Sequence, residues 1–220
     1  PLRVNRTSED FPRHKLEEIR QYREKRWWLG LTMSDILDRT ADVFPTQEAI
    51  VDDHTRLTFS GLRSEVDRLA SGLSSLGLEK GDAVLLQLPN WHEFVLSYFA
   101  LQRIGAIPVL LISGYKQLEV NHLARLTRAK AWISPAAYRK IDYRSFIGEV
   151  KEKNPQLEHC ISVRAGSGGA GFTASLEELL EQGASREGRH NLKPANTEPT
   201  EIAHIIPSGG TTGLPKGIPR

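Results

Sequence analysis

The sequence predicts an α/β protein, a largely parallel sheet flanked by helices. Three observations carry this. The unbroken apolar run Ala83-Val84-Leu85-Leu86 reads as a strand buried on both faces, and His159-Cys160-Ile161-Ser162-Val163 reads as a further strand. Between such runs, apolar residues recur at spacings of three and four, the period of a helix packed on one side. The two kinds of segment alternate along the chain, as βαβ units do, and their crossovers should be right-handed.

Taken in order, residues near 13–26 carry six basic and three acidic side chains and lead into Trp27-Trp28. This is a surface helix whose tryptophans are expected to anchor it to the domain. Glu17, Glu18 and Glu24 interrupt its basic face, which argues against a membrane-binding helix. A second helix is expected over Met33–Val43, stopped by Phe44-Pro45. Glu48–Val51 and Arg56–Phe59 are strand-like, with a tight turn at Asp53-His54. Ser60 is a candidate cap for a helix whose stripe is Leu62, Val66, Leu69, Leu73 and Leu76, and Gly77 supplies its stop. The chain then alternates between strands at Ala83–Leu88, Ala106–Ile112, Ala131–Ile133 and His159–Val163, and helices at Trp91–Ile104, Lys116–Thr127 and Tyr143–Lys153. Gly166–Gly171 reads as a flexible surface loop, because it follows a weak strand and holds no lysine. The organisation expected is an N-terminal helical extension (1–30), an α/β subdomain (31–182), a Gly- and Pro-broken linker (183–199), and a strand with its loop opening a further subdomain (200–220).

That last strand, Glu201–Ile206, runs into Ser208-Gly209-Gly210-Thr211-Thr212-Gly213-Leu214-Pro215-Lys216-Gly217. Glycines after a strand can expose several backbone N–H groups to one anion and let it approach closely. Ser208, Thr211 and Thr212 add hydroxyls that can also face a metal ion, and Lys216 adds a point charge suited to phosphate. Pro215 should stiffen the loop, and Gly217 should permit the exit turn. The Walker A spacing is absent, since Lys216 is followed by glycine, and G-x-G-x-x-G fails because Gly209 and Gly210 are adjacent. On composition alone, a phosphate grip and a plain flexible loop both stay open.

The order of these residues resembles the phosphate-loop signature of the AMP-forming ligases: acyl-CoA synthetases, luciferases and peptide-synthetase adenylation domains. The doubled Gly209-Gly210 and the following Ile218-Pro219-Arg220 look most like the 2,3-dihydroxybenzoate–AMP ligase branch. Leu57-Thr58-Phe59-Ser60-Gly61-Leu62, Gln87-Leu88-Pro89-Asn90 and Ala100–Val109 resemble earlier motifs of the family, in order, so the likeness spans about residues 20–220. The segment Gln21–Trp28 resembles the start of aryl-acid-activating enzymes. One departure is Ser113-Gly114-Tyr115-Lys116, where that branch often carries Ser-His. The chain is also less than half the family's usual length.

The resemblance implies the N-terminal part of the large domain of an adenylate-forming enzyme. It implies activation of a carboxylic acid, an aryl acid first, with ATP to an acyl-adenylate and pyrophosphate. The acyl group would then pass to the thiol of CoA or a carrier-protein phosphopantetheine. Ser208, Gly209, Gly210, Thr211, Thr212, Gly213 and Lys216 would bind the ATP phosphates. The Mg²⁺ ligands, the ribose-binding aspartate and the lysine that aids adenylation would lie beyond Arg220. No catalytic residue or metal ligand is expected within these residues, and the fragment alone is expected to be inactive. The alternatives are an acyl-CoA synthetase for aliphatic or other aromatic acids, a non-catalytic nucleotide-binding module, and an unrelated phosphotransferase.

Composition narrows the rest. Net charge is +2, from 29 basic and 27 acidic residues, so a nucleic-acid partner is not indicated. Cys160 is the single cysteine, which precludes an internal disulfide framework and suits a reducing compartment. No apolar run reaches membrane-spanning length and no signal-peptide core is present, so a cytoplasmic protein without a membrane partner is expected. The seven histidines show no metal-ligand spacing. His204, just before the loop, reads as a buried or sheet-facing residue.

Overall fold

The computed structural model describes residues 15–165, 171–185, 195–208 and 213–220. Helices α1 (Leu16–Glu24) and α2 (Met33–Val43) lead to the antiparallel pair β1 (Glu48–Val51) and β2 (Arg56–Thr58), then to the long helix α3 (Phe59–Ser75). There follow β3 (Ala83–Leu86), α4 (His92–Arg103), β4 (Ile107–Leu110), α5 (Gln117–Thr127) and β5 (Ala131–Pro135). After a short hairpin, β6 (Ala137–Tyr138) and β7 (Ile141–Asp142), come α6 (Arg144–Lys153), β8 (His159–Val163), β9 (Ala174–Ser175) and α7 (Leu176–Ala184). Two last strands, β10 (Ile205–Pro207) and β11 (Gly217–Pro219), form a hairpin.

Seven of these strands make one sheet in the order β11-β10-β4-β3-β5-β8-β9. Every neighbour pair is parallel except β10–β11. Alternate residues of a strand point to opposite faces, and here each face has its own core. Val84 and Leu86 of β3, Ile133 of β5, and Ile161 and Val163 of β8 pack with α3, α4 and α7. Ala83 and Leu85, Trp132 and Cys160 pack with α5 and α6. Burial on both faces is why β3 and β5 read as continuous apolar runs. The chain leaves β3 toward one face and β4 toward the other, so adjacent loops diverge at the carboxyl ends of these strands. Open α/β sheets place ligands at such an edge.

Several expectations need correction. The cap of α3 is Thr58, whose Oγ1 accepts the Gly61 N–H at 3.1 Å; Ser60 already lies inside the helix. The final strand holds only Ile205–Pro207, because the main chain of Ala203 and His204 is instead bonded to Arg220. Gly217 is no exit turn: it pairs with Pro207 in β11. Trp27 is 64% exposed, and its ring lies 5.6 Å from Tyr22 of α1, so Trp27 itself is not an anchor into the core. Helix α7 has the clear start Ser175-x-x-Glu178, in which Ser175 Oγ accepts the Glu178 N–H and Glu178 accepts the Ser175 N–H. Gly183, which reads as a chain breaker, is in its last turn. The glycine stretch from Gly166 lies outside the described residues except for Gly171.

Candidate functional site

The residues of the glycine-rich loop rise from the β10–β11 hairpin. Ile205, Ile206 and Pro207 pair with Pro219, Ile218 and Gly217. At the neck, the Ser208 N–H donates to the Lys216 carbonyl at 2.8 Å, and the Lys216 N–H donates to Ser208 Oγ at 3.2 Å. Ser208 Oγ thus accepts locally and keeps its O–H to donate elsewhere. Gly213, Leu214 and Lys216 are exposed, whereas Pro215 between them is buried. Gly209, Gly210, Thr211 and Thr212 lie outside the described residues. The structure therefore brings Ser208 and Lys216 together and puts the loop at the carboxyl end of β10, beside the parallel strand β4.

The hairpin is braced from below by α4 and from the side by α5. Gln102 Nε2 donates to the Ala203 carbonyl at 2.5 Å, and Tyr98 Oη lies 3.0 Å from His204 Nδ1. Burial pushes the Tyr98 phenol up to about 12, so it keeps its proton. Burial, aided by the nearby Arg220 charge, lowers the pKa of His204, so a neutral imidazole accepting the Tyr98 proton fits both shifts. His204 is the half-buried residue expected. Lys80 holds the strand approach, through the Asn196 carbonyl at 2.5 Å and Glu201 at 2.9 Å. His122 of α5 places Nε2 at 2.9 Å from the Pro215 carbonyl.

A second group fixes the loop after β4. Gln87 is fully buried at the end of β3. Its Nε2 donates to the carbonyls of Ile112 and Tyr115 at 3.1 and 2.9 Å, and its Oε1 accepts the Trp132 indole N–H at 3.2 Å. The Tyr143 hydroxyl donates to the Ser113 carbonyl at 2.5 Å, and burial pushes this phenol up to about 12. Ser113–Lys116 is therefore a held turn at the same edge of the sheet as the hairpin loop.

A third group escaped the sequence reading. Asp52, His92 and Glu93 bring ligand-type atoms within 4.8 Å of one another, although they come from the β1–β2 turn and the start of α4. Arg164, just past β8, already occupies it, with Nε 2.5 Å from Glu93 and Nη2 3.5 Å from Asp52. Its guanidinium also stacks 4.1 Å over Trp91. The His92 hydrogen bond first, with backbone N–H groups adding, holds the Asp52 carboxyl well below its usual range. The one guanidinium pairs with both carboxylates, so this donor set is already engaged in an ion-pair network. Sequence separation hid it: Asp52 and Arg164 meet across 112 positions.

Among the described residues, no helix is long and apolar enough to cross a membrane.

Comparison with known proteins adds the family. The 2,3-dihydroxybenzoate-AMP ligase of Bacillus subtilis is 34% identical over 199 residues, covering 90% of this chain and 35% of that protein. The salicyl-AMP ligase / salicyl-S-ArCP synthetase of Mycobacterium tuberculosis is 35% identical over 204 residues, covering 90% and 34%. The apo structure of Mycobacterium smegmatis MbtA superposes with a TM-score of 0.84 at 30% identity, covering 96% of this chain and 38% of that one. The chain thus spans about a third of the length of the curated relatives it matches. The family model described as "AMP-binding enzyme" matches residues 37–220, most of the chain, and the chain belongs to that family.

Proposed function

We propose that this chain supplies the ATP-phosphate loop of a ligase that joins a carboxylic acid, an aryl acid first, to AMP and passes the acyl group to a thiol. The observation that carries the reading is the neck of the hairpin. Ser208 and Lys216 are tied to each other at the carboxyl end of β10, and Lys216 is exposed. An exposed ammonium and a free hydroxyl proton at that edge suit a polyphosphate. Relatives named for 2,3-dihydroxybenzoate, salicylate and their AMP adducts support the aryl-acid class. A relative named medium-chain fatty-acid–CoA ligase, at 28% identity, keeps an aliphatic acid as the second reading.

In this reading, a carboxylate oxygen attacks the α-phosphorus, the bond to the bridging oxygen breaks, and pyrophosphate leaves. Catalysis is positioning and charge stabilisation. Ser208, Gly209, Gly210, Thr211, Thr212, Gly213 and Lys216 would hold the departing pyrophosphate, with Lys216 countering its charge. Mg²⁺ would offset further charge when bound; among the described residues the carboxylates of Asp52 and Glu93 are already paired with Arg164. The thiol acceptor is CoA or a carrier-protein phosphopantetheine. The domain division proposed keeps residues 31–182 as the α/β unit, with 200–220 opening the phosphate site.

The test is ATP–pyrophosphate exchange by the full-length protein over a panel of aryl and aliphatic acids. Exchange dependent on an aryl acid is expected. Exchange only with fatty acids selects the second reading, and ADP rather than AMP as product overturns both.

A further inference from the structure

We propose that His122 is a positioning residue that sets the place of Lys216 by pinning the peptide between Pro215 and Lys216. The inference rests on the reading of this loop as an ATP-phosphate site. A peptide unit is planar, so holding both its carbonyl and its N–H fixes the direction in which the next Cα leaves. Here both are held. The Pro215 carbonyl lies 2.9 Å from His122 Nε2, and the Lys216 N–H donates to Ser208 Oγ at 3.2 Å. Proline fixes its own φ, which removes one of the backbone rotations leading into this unit. Pro215 is buried while Leu214 and Lys216 on either side are exposed, which marks it as the point where the loop touches the body of the protein.

The body at that point is α5. His122 and Leu126 are four apart and share one helix face. Leu126 lies beside the hairpin too: a Cβ at Gly217 would be 3.6 Å from its Cδ2 and 3.1 Å from Ile205 Cγ2. The helix itself is seated by Val120, Leu123 and Ala124, all fully buried. His122 therefore transmits the rigidity of the sheet and α5 to the lysine without itself reaching a phosphate. Its Nε2 carries the proton in this arrangement, since a carbonyl can only accept. A lysine held in place before ATP arrives loses less freedom on binding.

The test compares ATP affinity of the full-length protein by calorimetry in His122→Gln, His122→Asn, His122→Leu and Lys216→Ala. The Gln amide nitrogen reaches about as far as Nε2 and the Asn amide does not. Gln is expected within about twofold of the parent. Asn and Leu are expected to weaken ATP about 3- to 10-fold, the size of one net hydrogen bond, with unchanged melting temperature. If Leu does not fold, the Gln–Asn pair decides alone. Equal affinity of Gln and Asn, with Lys216→Ala weakened, overturns the role of His122 and leaves the loop reading standing. No loss in Lys216→Ala, or no ATP binding by the parent, overturns the loop reading and this inference with it.

Discussion

Gly183 of α7 faces the main chain of Arg68 on α3 so closely that a Cβ there would lie 1.9 Å from the Arg68 carbonyl oxygen. On the same contact, a Cβ at Gly72 would lie 2.3 Å from the Leu179 carbonyl oxygen. Two glycines, one on each helix, let the backbones approach where any side chain would separate them. Both obstacles are backbone, which cannot rotate away. Gly183→Ala is therefore expected to lose about 1–3 kcal/mol in urea unfolding, as overpacking does. Gly148→Ala on α6, where an added Cβ would meet nothing within 4 Å, should cost far less.

Lys216→Ala should weaken productive use of ATP on the order of 10- to 100-fold, the range of a charge-assisted hydrogen bond, while the KM for the acid stays near that of the parent. Steady-state kinetics with ATP and acid varied separately check this. Unchanged ATP kinetics in a folded variant would count against the loop assignment.

Gln87→Leu removes the partner of the Trp132 indole and of the Tyr115 carbonyl in one change, while the Ile112 carbonyl keeps the Tyr115 N–H. Each buried group left unpaired costs about 1–3 kcal/mol, so a clear fall in melting temperature is expected. The turn at Ser113–Lys116 should also become cleavable by trypsin after Lys116. A fall in melting temperature without new cleavage would mean that Tyr143 and the turn's own Tyr115 N–H to Ile112 carbonyl bond suffice to hold it.

The burial of His204 gives a signed pH dependence. Its folded pKa lies below the ordinary 6.5, so between the two values the unfolded chain binds more protons. The stability this imidazole contributes is fully present above pH 6.5 and is lost as pH falls toward the folded value. Melting temperatures from pH 8 to 5.5 should therefore drop more steeply for the parent than for His204→Gln. Parallel curves would show that His204 does not titrate differently in the two states.

Cys160 is fully buried on β8, and burial pushes its thiol up to about 11. A thiol that is both inaccessible and protonated should not react with Ellman's reagent at mildly alkaline pH. One equivalent should appear only in denaturant. Rapid reaction of the folded protein would mean that β8 opens easily.

Much of the fold was legible in local pattern. The stripe Leu62-Val66-Leu69-Leu73 is the buried face of α3, and Met33–Val43 is α2 to the residue. The strands β3, β5 and β8 are mostly apolar because the sheet is covered on both faces, and the serines among them, Ser134 and Ser162, are buried as well. The loop from Ser208 to Lys216 stood out for the same local reason, since glycine and hydroxyl density needs no partner to be seen. Helix α7 carries local signals too, in Ser175-x-x-Glu178 and in Leu176, Leu179 and Leu180, but the sequence reading did not assign it.

Local sequence by itself therefore determined most of the helices and strands and made the loop from Ser208 to Lys216 stand out, because propensity, periodicity and turn chemistry act within a few residues. The tertiary structure alone decided the strand order, the pairing of β11 back onto β10, the meeting of Asp52, His92 and Glu93 with Arg164, and the contact of His122 with Pro215. Each joins residues far apart in the chain, with His122 and Pro215 separated by 93 positions. Such contacts form only when burial of two apolar faces brings distant segments together, and no spacing in the sequence encodes the distance between them.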